Sequence, residues 1–321
     1  MNRARAVMTI GAVAVLLLSW TSLTASGGSA QELDADNDGG FRDRRVQRGP
    51  YRLHVRERPG SGPAIVLMHG FPDNHHLYDR LVPYLPGRHV VVFDFLGWGE
   101  SDKPRDYDYT FANQEGDLDA VVAGLGLDRV LLVPHDASGP AAINWALDHP
   151  DRVAAIVALN TFYSALPDAP PNPPEAIRLF SDPAFARLTE HFAESPREFR
   201  WLYDFQVGGF IRNADVRRKF VPLLYRQFED HPSTLRPFLE LNADLLSAVA
   251  ANTQRAPELQ LFPAPVRTVF GEGDQYLSPA QGRGLAALFP RSEAFTVPGA
   301  NHFPQLDAPA EVARLILTAA Q

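Results

Sequence analysis

From residue 41 onward, short and wholly apolar runs alternate with longer stretches whose apolar positions recur at helical spacing. Residues 64–68 (AIVLM), 89–93 (HVVVF), 130–133 and 153–159 (VAAIVAL) are too short and too uniformly apolar for surface helices. They predict strands buried on both faces, as does 266–270. Residues 51–58 and 293–297 add two further strands, and 113–124, 139–148, 279–288 and 311–320 read as helices. This alternation predicts an α/β fold, a mostly parallel sheet with helices on both faces.

The rhythm stops between about Tyr163 and Pro265. A proline cluster at 167–174 opens that region, and helical patterns rich in Phe, Leu and Tyr follow, broken at Pro196, Pro222, Pro232 and Pro237. The region reads as a helical insertion between two strands. Ligands of open parallel sheets bind at the carboxyl ends of the strands, so the insertion is expected to roof that crevice. The organisation is thus a leader over 1–30, a first core part over 31–162, a helical lid over 163–265 and a second core part over 266–321.

The leader reading rests on Arg3 and Arg5, the apolar run 6–18, and a small-residue exit at 28–30 (GSA). That order predicts a secretory signal peptide cleaved near Ala30, and hence an exported protein, periplasmic or secreted. The run is shorter than the roughly 18–20 residues a membrane-spanning helix needs. No stable membrane association is expected after cleavage. The net charge of −8 and pI of about 5.7 argue against nucleic acid as a partner. With no cysteine, disulfides and thiolate chemistry are excluded. No glycine loop built to cradle phosphate follows the first strand. The pair His75-His76 lacks partner ligands at useful spacing and reads as a solvated loop, so no metal is expected. Nothing in the pattern sets an oligomeric state.

Four polar segments sit at strand ends: His69-Gly70-Phe71-Pro72, His135-Asp136-Ala137-Ser138-Gly139, Gly271-Glu272-Gly273-Asp274 and Ala300-Asn301-His302-Phe303. All four are expected on one edge of the sheet. Their order is nucleophile on a strand-to-helix turn, then acid, then histidine. Two nucleophiles compete on that turn. Asp136 has compact neighbours two positions away, Pro134 and Ser138, whereas Ser138 has Asp136 and Pro140, a poorer fit to a crowded elbow. The elbow favours Asp136, and Ser138 stays open as the nucleophile of an esterase or lactonase. A carboxylate nucleophile displaces a leaving group from an sp³ carbon and forms an alkyl-enzyme ester that water then hydrolyses. His302 is the expected base for that water, and Asp274 the group that orients its ring. The N–H groups of Phe71 and Ala137 are the expected oxyanion hole. The chemistry needs no cofactor.

These motifs resemble the α/β-hydrolase superfamily, specifically its branch of haloalkane dehalogenases and epoxide hydrolases, from residue 50 to the end. DFLGWGESDKP at 94–104 and YDYTF at 107–111 are dehalogenase-like, whereas HGFP at 69–72 is closer to epoxide hydrolases. The acid after the seventh strand is Asp274, while the place after the preceding strand holds Asn160. Trp201, in Trp201-Leu202-Tyr203-Asp204, resembles a lid indole that donates to a departing halide. A second halide donor is missing at Phe71 and at Ala137. Tyr163 and Tyr203 are lid candidates for binding the substrate or its leaving group. The resemblance implies a hydrolase on a small apolar substrate, a dehalogenase slightly ahead of an epoxide hydrolase. A non-catalytic exported binding protein is the reading from another class, and Asp136, Asp274 and His302 together argue against it.

Overall fold

A computed structural model of the chain describes residues 40–166 and 181–320. The leader and the proline cluster at 167–174 lie outside the described residues. Eight strands form one sheet: β1 (Arg42–Arg48), β2 (Tyr51–Arg58), β3 (Ser61–Met68), β4 (Arg88–Phe93), β5 (Val130–Asp136), β6 (Val153–Thr161), β7 (Val266–Gly271) and β8 (Ser292–Val297). Their order is β1-β2-β4-β3-β5-β6-β7-β8. The β1–β2 and β2–β4 pairs are antiparallel and the others parallel. The apolar runs became the central strands for the expected reason: all nine residues of β6 are buried, as the middle of a doubly covered sheet requires.

Strand β1 was not expected from its sequence. RDRRVQR has one buried residue, Val46, and the remainder of the strand edges the sheet with charge. Charged side chains are a common protection of an edge strand against pairing with another chain.

Helices α1 (Phe111–Gly124) and α2 (Gly139–Asp148) belong to the core. Between β6 and β7 lie α3 (Ala186–Glu194), α4 (Pro196–Gln206), α5 (Ala214–Asp230) and α6 (Leu235–Arg255). The chain ends in α7 (Pro279–Ala286), α8 (Pro304–Asp307) and α9 (Pro309–Leu317). Helix α4 buries Phe199, Leu202 and Tyr203, an i, i+3, i+4 stripe, so Trp201 and Phe205 point the other way. Polar side chains tie the inserted helices to the core. Gln227 of α5 donates to the carbonyls of Pro72 (2.9 Å) and Asp73 (3.2 Å), and Asp244 of α6 accepts from the Phe111 N–H (2.9 Å). Aromatic packing fills the space beneath: Phe71 stacks on Phe238 at 4.9 Å, and Phe199 meets the edges of Phe228 and Phe238 at 4.8 and 5.0 Å. Among the described residues, no helix is long and apolar enough to cross a membrane.

Candidate active site

Strand β5 ends at Asp136, whose φ is +48°. A non-glycine residue in the left-handed region costs on the order of 1–3 kcal/mol and persists only where its surroundings impose it. Here they do. The Ser138 N–H bonds back to the His135 carbonyl at 3.1 Å, and the Thr161 hydroxyl donates to the Asp136 carbonyl. Helix α2 then starts at Gly139, where a Cβ would run into Thr161 Oγ1 and the Phe162 carbonyl. Across the turn, a Cβ on Gly70 would come within 2.7 Å of the Asp136 Cβ. Gly70 and Gly139 are thus crowded positions of the elbow.

The Asp136 carboxylate accepts from the Phe71 N–H at 3.1 Å through Oδ2. Its Oδ1 lies 3.9 Å from His302 Nε2. Burial pushes the Asp136 carboxyl up, while His302 and the N–H groups of Phe71 and Ala137 pull it back toward the charged form. The other face of the imidazole is fixed, with Nδ1 2.9 Å from Asp274 Oδ2. Burial opposes charge on His302, but Asp274 outweighs it with help from Asp136 and Asp73, raising the imidazolium pKa to about 9. Asp274 is itself held on both oxygens. Oδ1 accepts from the N–H groups of Tyr276 (2.7 Å) and Leu277 (3.0 Å), and Oδ2 from Asn160 Nδ2 (2.6 Å). The four sequence segments therefore meet at one sheet edge, around Asp136, Asp274, His302, Phe71 and Ala137.

Ser138 is placed differently. Its buried hydroxyl lies 3.0 Å from the Met68 carbonyl and 2.8 Å from that of His135, and it accepts from the His135 N–H at 2.9 Å. These contacts tie it into the turn.

Two lid expectations need correction. Trp201 is 61% exposed and stacks on Phe205 at 5.9 Å, so its indole faces outward and not toward Asp136. The phase of α4 explains this, since Trp201 falls opposite the buried stripe. Tyr163 donates to Asn144 Oδ1 at 2.8 Å, and Asn144 in turn bonds Asn252, so its hydroxyl joins α2 to α6 instead of binding a substrate. Tyr203 differs from both: it is buried, and its hydroxyl has no hydrogen-bond partner. Burial, then the charge of Asp73, holds its pKa well above the ordinary phenol value.

Two further residues gain a role only in the structure. Asn160, with φ +32°, bridges Asp274 and the Gly271 N–H (3.0 Å) from the end of β6, and a polar residue closing an apolar strand was the available signal. Asp73 is fully buried beneath α5, and neither carboxyl oxygen has a hydrogen-bond partner. The sequence PDNHH shows only a polar turn there.

The solvated-loop reading of His75 is likewise overturned. His75 and His54 both aim Nδ1 at Asp94 Oδ2, at 2.8 and 3.0 Å, all three side chains being buried. The three ligand atoms lie within 4.8 Å of one another, a spacing a metal ion could use. Asp94 is already satisfied without one. It also accepts from the N–H groups of His75 (2.7 Å) and Glu100 (3.0 Å), and its pKa is held well below the usual carboxylate range despite burial, chiefly by the two histidines. The cluster braces the loop after β4 against β2.

Known proteins place this geometry in context. The first two curated relatives match only a stretch of this chain. A fluoroacetate dehalogenase of Burkholderia sp is 41% identical over 106 residues, which is 32% of this chain and 35% of that protein. The second match spans 43% of its relative. A cis-3-alkyl-4-alkyloxetan-2-one decarboxylase of Xanthomonas campestris is 30% identical over 277 residues, covering 80% of this chain and 88% of that protein. Among solved structures, an ancestral haloalkane dehalogenase superposes with a TM-score of 0.70 at 22% identity, over 85% of this chain and 98% of that one. The model of the alpha/beta hydrolase fold family matches residues 63–309, and the chain belongs to that family.

Proposed function

We propose that the protein hydrolyses small apolar substrates by displacement at an sp³ carbon, with Asp136 as nucleophile and an alkyl-enzyme ester as intermediate. One observation carries this reading: the carboxylate on the elbow lies beside Phe71 N–H and His302, while the Ser138 hydroxyl is committed to backbone carbonyls. Asp136 attacks carbon, the bond to the leaving group breaks, and that group takes the bonding pair. The charge of Asp136 is thereby lost, which removes one of the anions that keep His302 protonated, and the imidazolium releases its proton to the leaving group or to solvent. The neutral imidazole, oriented by Asp274, then takes a proton from water as the water attacks the ester carbonyl. Phe71 and Ala137 N–H groups hold the tetrahedral oxyanion, each such donor contributing about a hundredfold to a thousandfold in rate. Collapse of the oxyanion frees an alcohol and restores the carboxylate.

The names of the relatives support a carbon–halogen or strained carbon–oxygen bond as the target. With Trp201 outward, the lid indole expected for a halide lends that side no support. The positions after the nucleophile are Ala137 and Pro140, which offer no cation for a substrate carboxylate such as fluoroacetate. Export rests on the leader sequence and is part of the same proposal.

Intact-protein mass spectrometry of His302→Gln, incubated with pooled haloalkanes and epoxides, tests the reading. The variant is expected to stall with an adduct on Asp136. Turnover by the parent with no adduct on the variant would refute it.

A further inference from the structure

Asp73 is a buried acid that the mechanism above leaves unused. It follows Phe71, whose N–H touches the nucleophile, by two residues, and its carboxyl is close enough to Asp136 and His302 to feel the charge of both. Its main-chain N–H bonds the Gly70 carbonyl at 3.2 Å, and Gln227 of α5 holds its carbonyl, so the residue is fixed from both sides. Its side chain alone is unsatisfied. Carboxyl Oδ2 lies 4.0 Å from His135 Nδ1, itself without a partner, and His135 bonds the His302 carbonyl through Nε2 at 2.9 Å. The titratable groups facing Asp73 are Asp136, His302, His135, Tyr78 and Tyr203. Of these, Tyr78 is spent on the Met68 and Val133 carbonyls, whereas Tyr203 has a free hydroxyl. An unpaired buried polar group costs on the order of 1–3 kcal/mol, so the Asp73 carboxyl and the Tyr203 hydroxyl, both unpaired and near enough for the charge of one to act on the other, call for an explanation. A substrate atom that accepts hydrogen bonds between them supplies one.

We propose that Asp73 is the acid that protonates an oxygen leaving group, with Tyr203 as a second donor to that oxygen, and that the substrate class is therefore a strained cyclic ether. The inference rests on Asp136 being the nucleophile. Burial, reinforced by the negative charge of Asp136, pushes the Asp73 carboxyl up to about 8, so it is neutral and loaded at pH 7.

The proton balance favours oxygen over halide. At rest Asp136 is anionic, His302 is protonated and Asp73 is neutral. Attack of Asp136 on ring carbon breaks the carbon–oxygen bond, and the ring oxygen takes the electron pair and the Asp73 proton. The ester, a hydroxyl and an Asp73 carboxylate result. His302 then passes its proton to Asp73, directly or through a water, and becomes the neutral base the second step needs. Water gives one proton to His302, its oxygen goes to the Asp136 carbonyl carbon, and the departing alkoxide leaves as the alcohol with the second proton. The resting charges return, and the net reaction is ether plus water giving a diol. A halide leaves without taking a proton, so His302 would stay protonated until it lost its proton elsewhere.

The test compares two probes with the same carbon chain, 1,2-epoxyhexane and 1-bromohexane, by the rate of ester formation on Asp136 in a His302→Gln background, read by quenched-flow mass spectrometry. Asp73→Asn is expected to slow ester formation from the epoxide about a hundredfold, in the range of a lost general acid. The bromide is expected to react far less differently, and Asp73→Glu to recover part of the epoxide rate. The bromide rate also reports that the variant is folded. Equal slowing of both probes, or no slowing of either, would overturn the role of Asp73 while leaving Asp136 as nucleophile. No ester from either probe in the His302→Gln parent would overturn both readings.

Discussion

Replacing Asp73 with asparagine is expected to make the folded protein more stable as pH rises, because the native state holds this carboxyl neutral at a cost. The reference carboxyl titrates at 3.8 and the buried one at about 8. Between those values the folded chain binds a proton that the unfolded chain has released, so stability falls with rising pH. The contribution of the bound proton is intact below about pH 4 and lost as pH passes about 8. Each pH unit in that window corresponds to about 1.4 kcal/mol. At pH 7 the wild type therefore carries a penalty of about 4 kcal/mol that asparagine, with no proton to bind, does not. Urea unfolding at pH 5 to 9 measures it. The stability difference between variant and wild type is expected to grow by about 1.4 kcal/mol per pH unit up to about pH 8 and then level off. A difference independent of pH, or one that shrinks as pH rises, would refute the reasoning, since it would mean that Asp73 titrates alike in both states.

Three other substitutions probe the surroundings. Ser138→Ala is expected to lose about 1 kcal/mol of stability with its backbone contacts while keeping turnover, and a fluorophosphonate is expected not to label the parent. Asn160→Ala frees one oxygen of Asp274 and is expected to slow hydrolysis of the ester more than its formation, with a shifted pH profile for the second step in pre-steady-state kinetics. Trp201→Ala is expected to leave kcat/KM within about twofold for haloalkanes and epoxides alike, as an exposed side chain on the outer stripe of α4 should.

The central strands were readable because double burial demands uninterrupted apolar runs, and β6 and β7 fall where those runs lie. The polar strand ends were readable for a related reason: a short apolar strand that stops at His, Asp and Gly marks the sheet edge where side chains converge. Strand β1 escaped notice because an edge strand needs little apolar surface, and Val46 alone gives no pattern. The lid failure had another cause. Local similarity points Trp201 at the leaving group, whereas the spacing of Phe199, Leu202 and Tyr203 assigns it to the outer face. Asp73, His54 and His75 lay beyond the reach of sequence. Their significance comes from burial, and burial of a polar turn is decided by α5 packing over it and by Asp94 arriving from β4.

The most direct test of the central claim is a single turnover in H₂¹⁸O with enzyme in excess over 1,2-epoxyhexane, followed by mass spectrometry of the product and of the peptide containing Asp136. Because water attacks the ester carbonyl, the ¹⁸O is expected in the Asp136 carboxylate and the first diol is expected to carry none. Label in that first diol, with Asp136 unlabelled, would mean that water attacks the substrate carbon itself, and it would contradict the account.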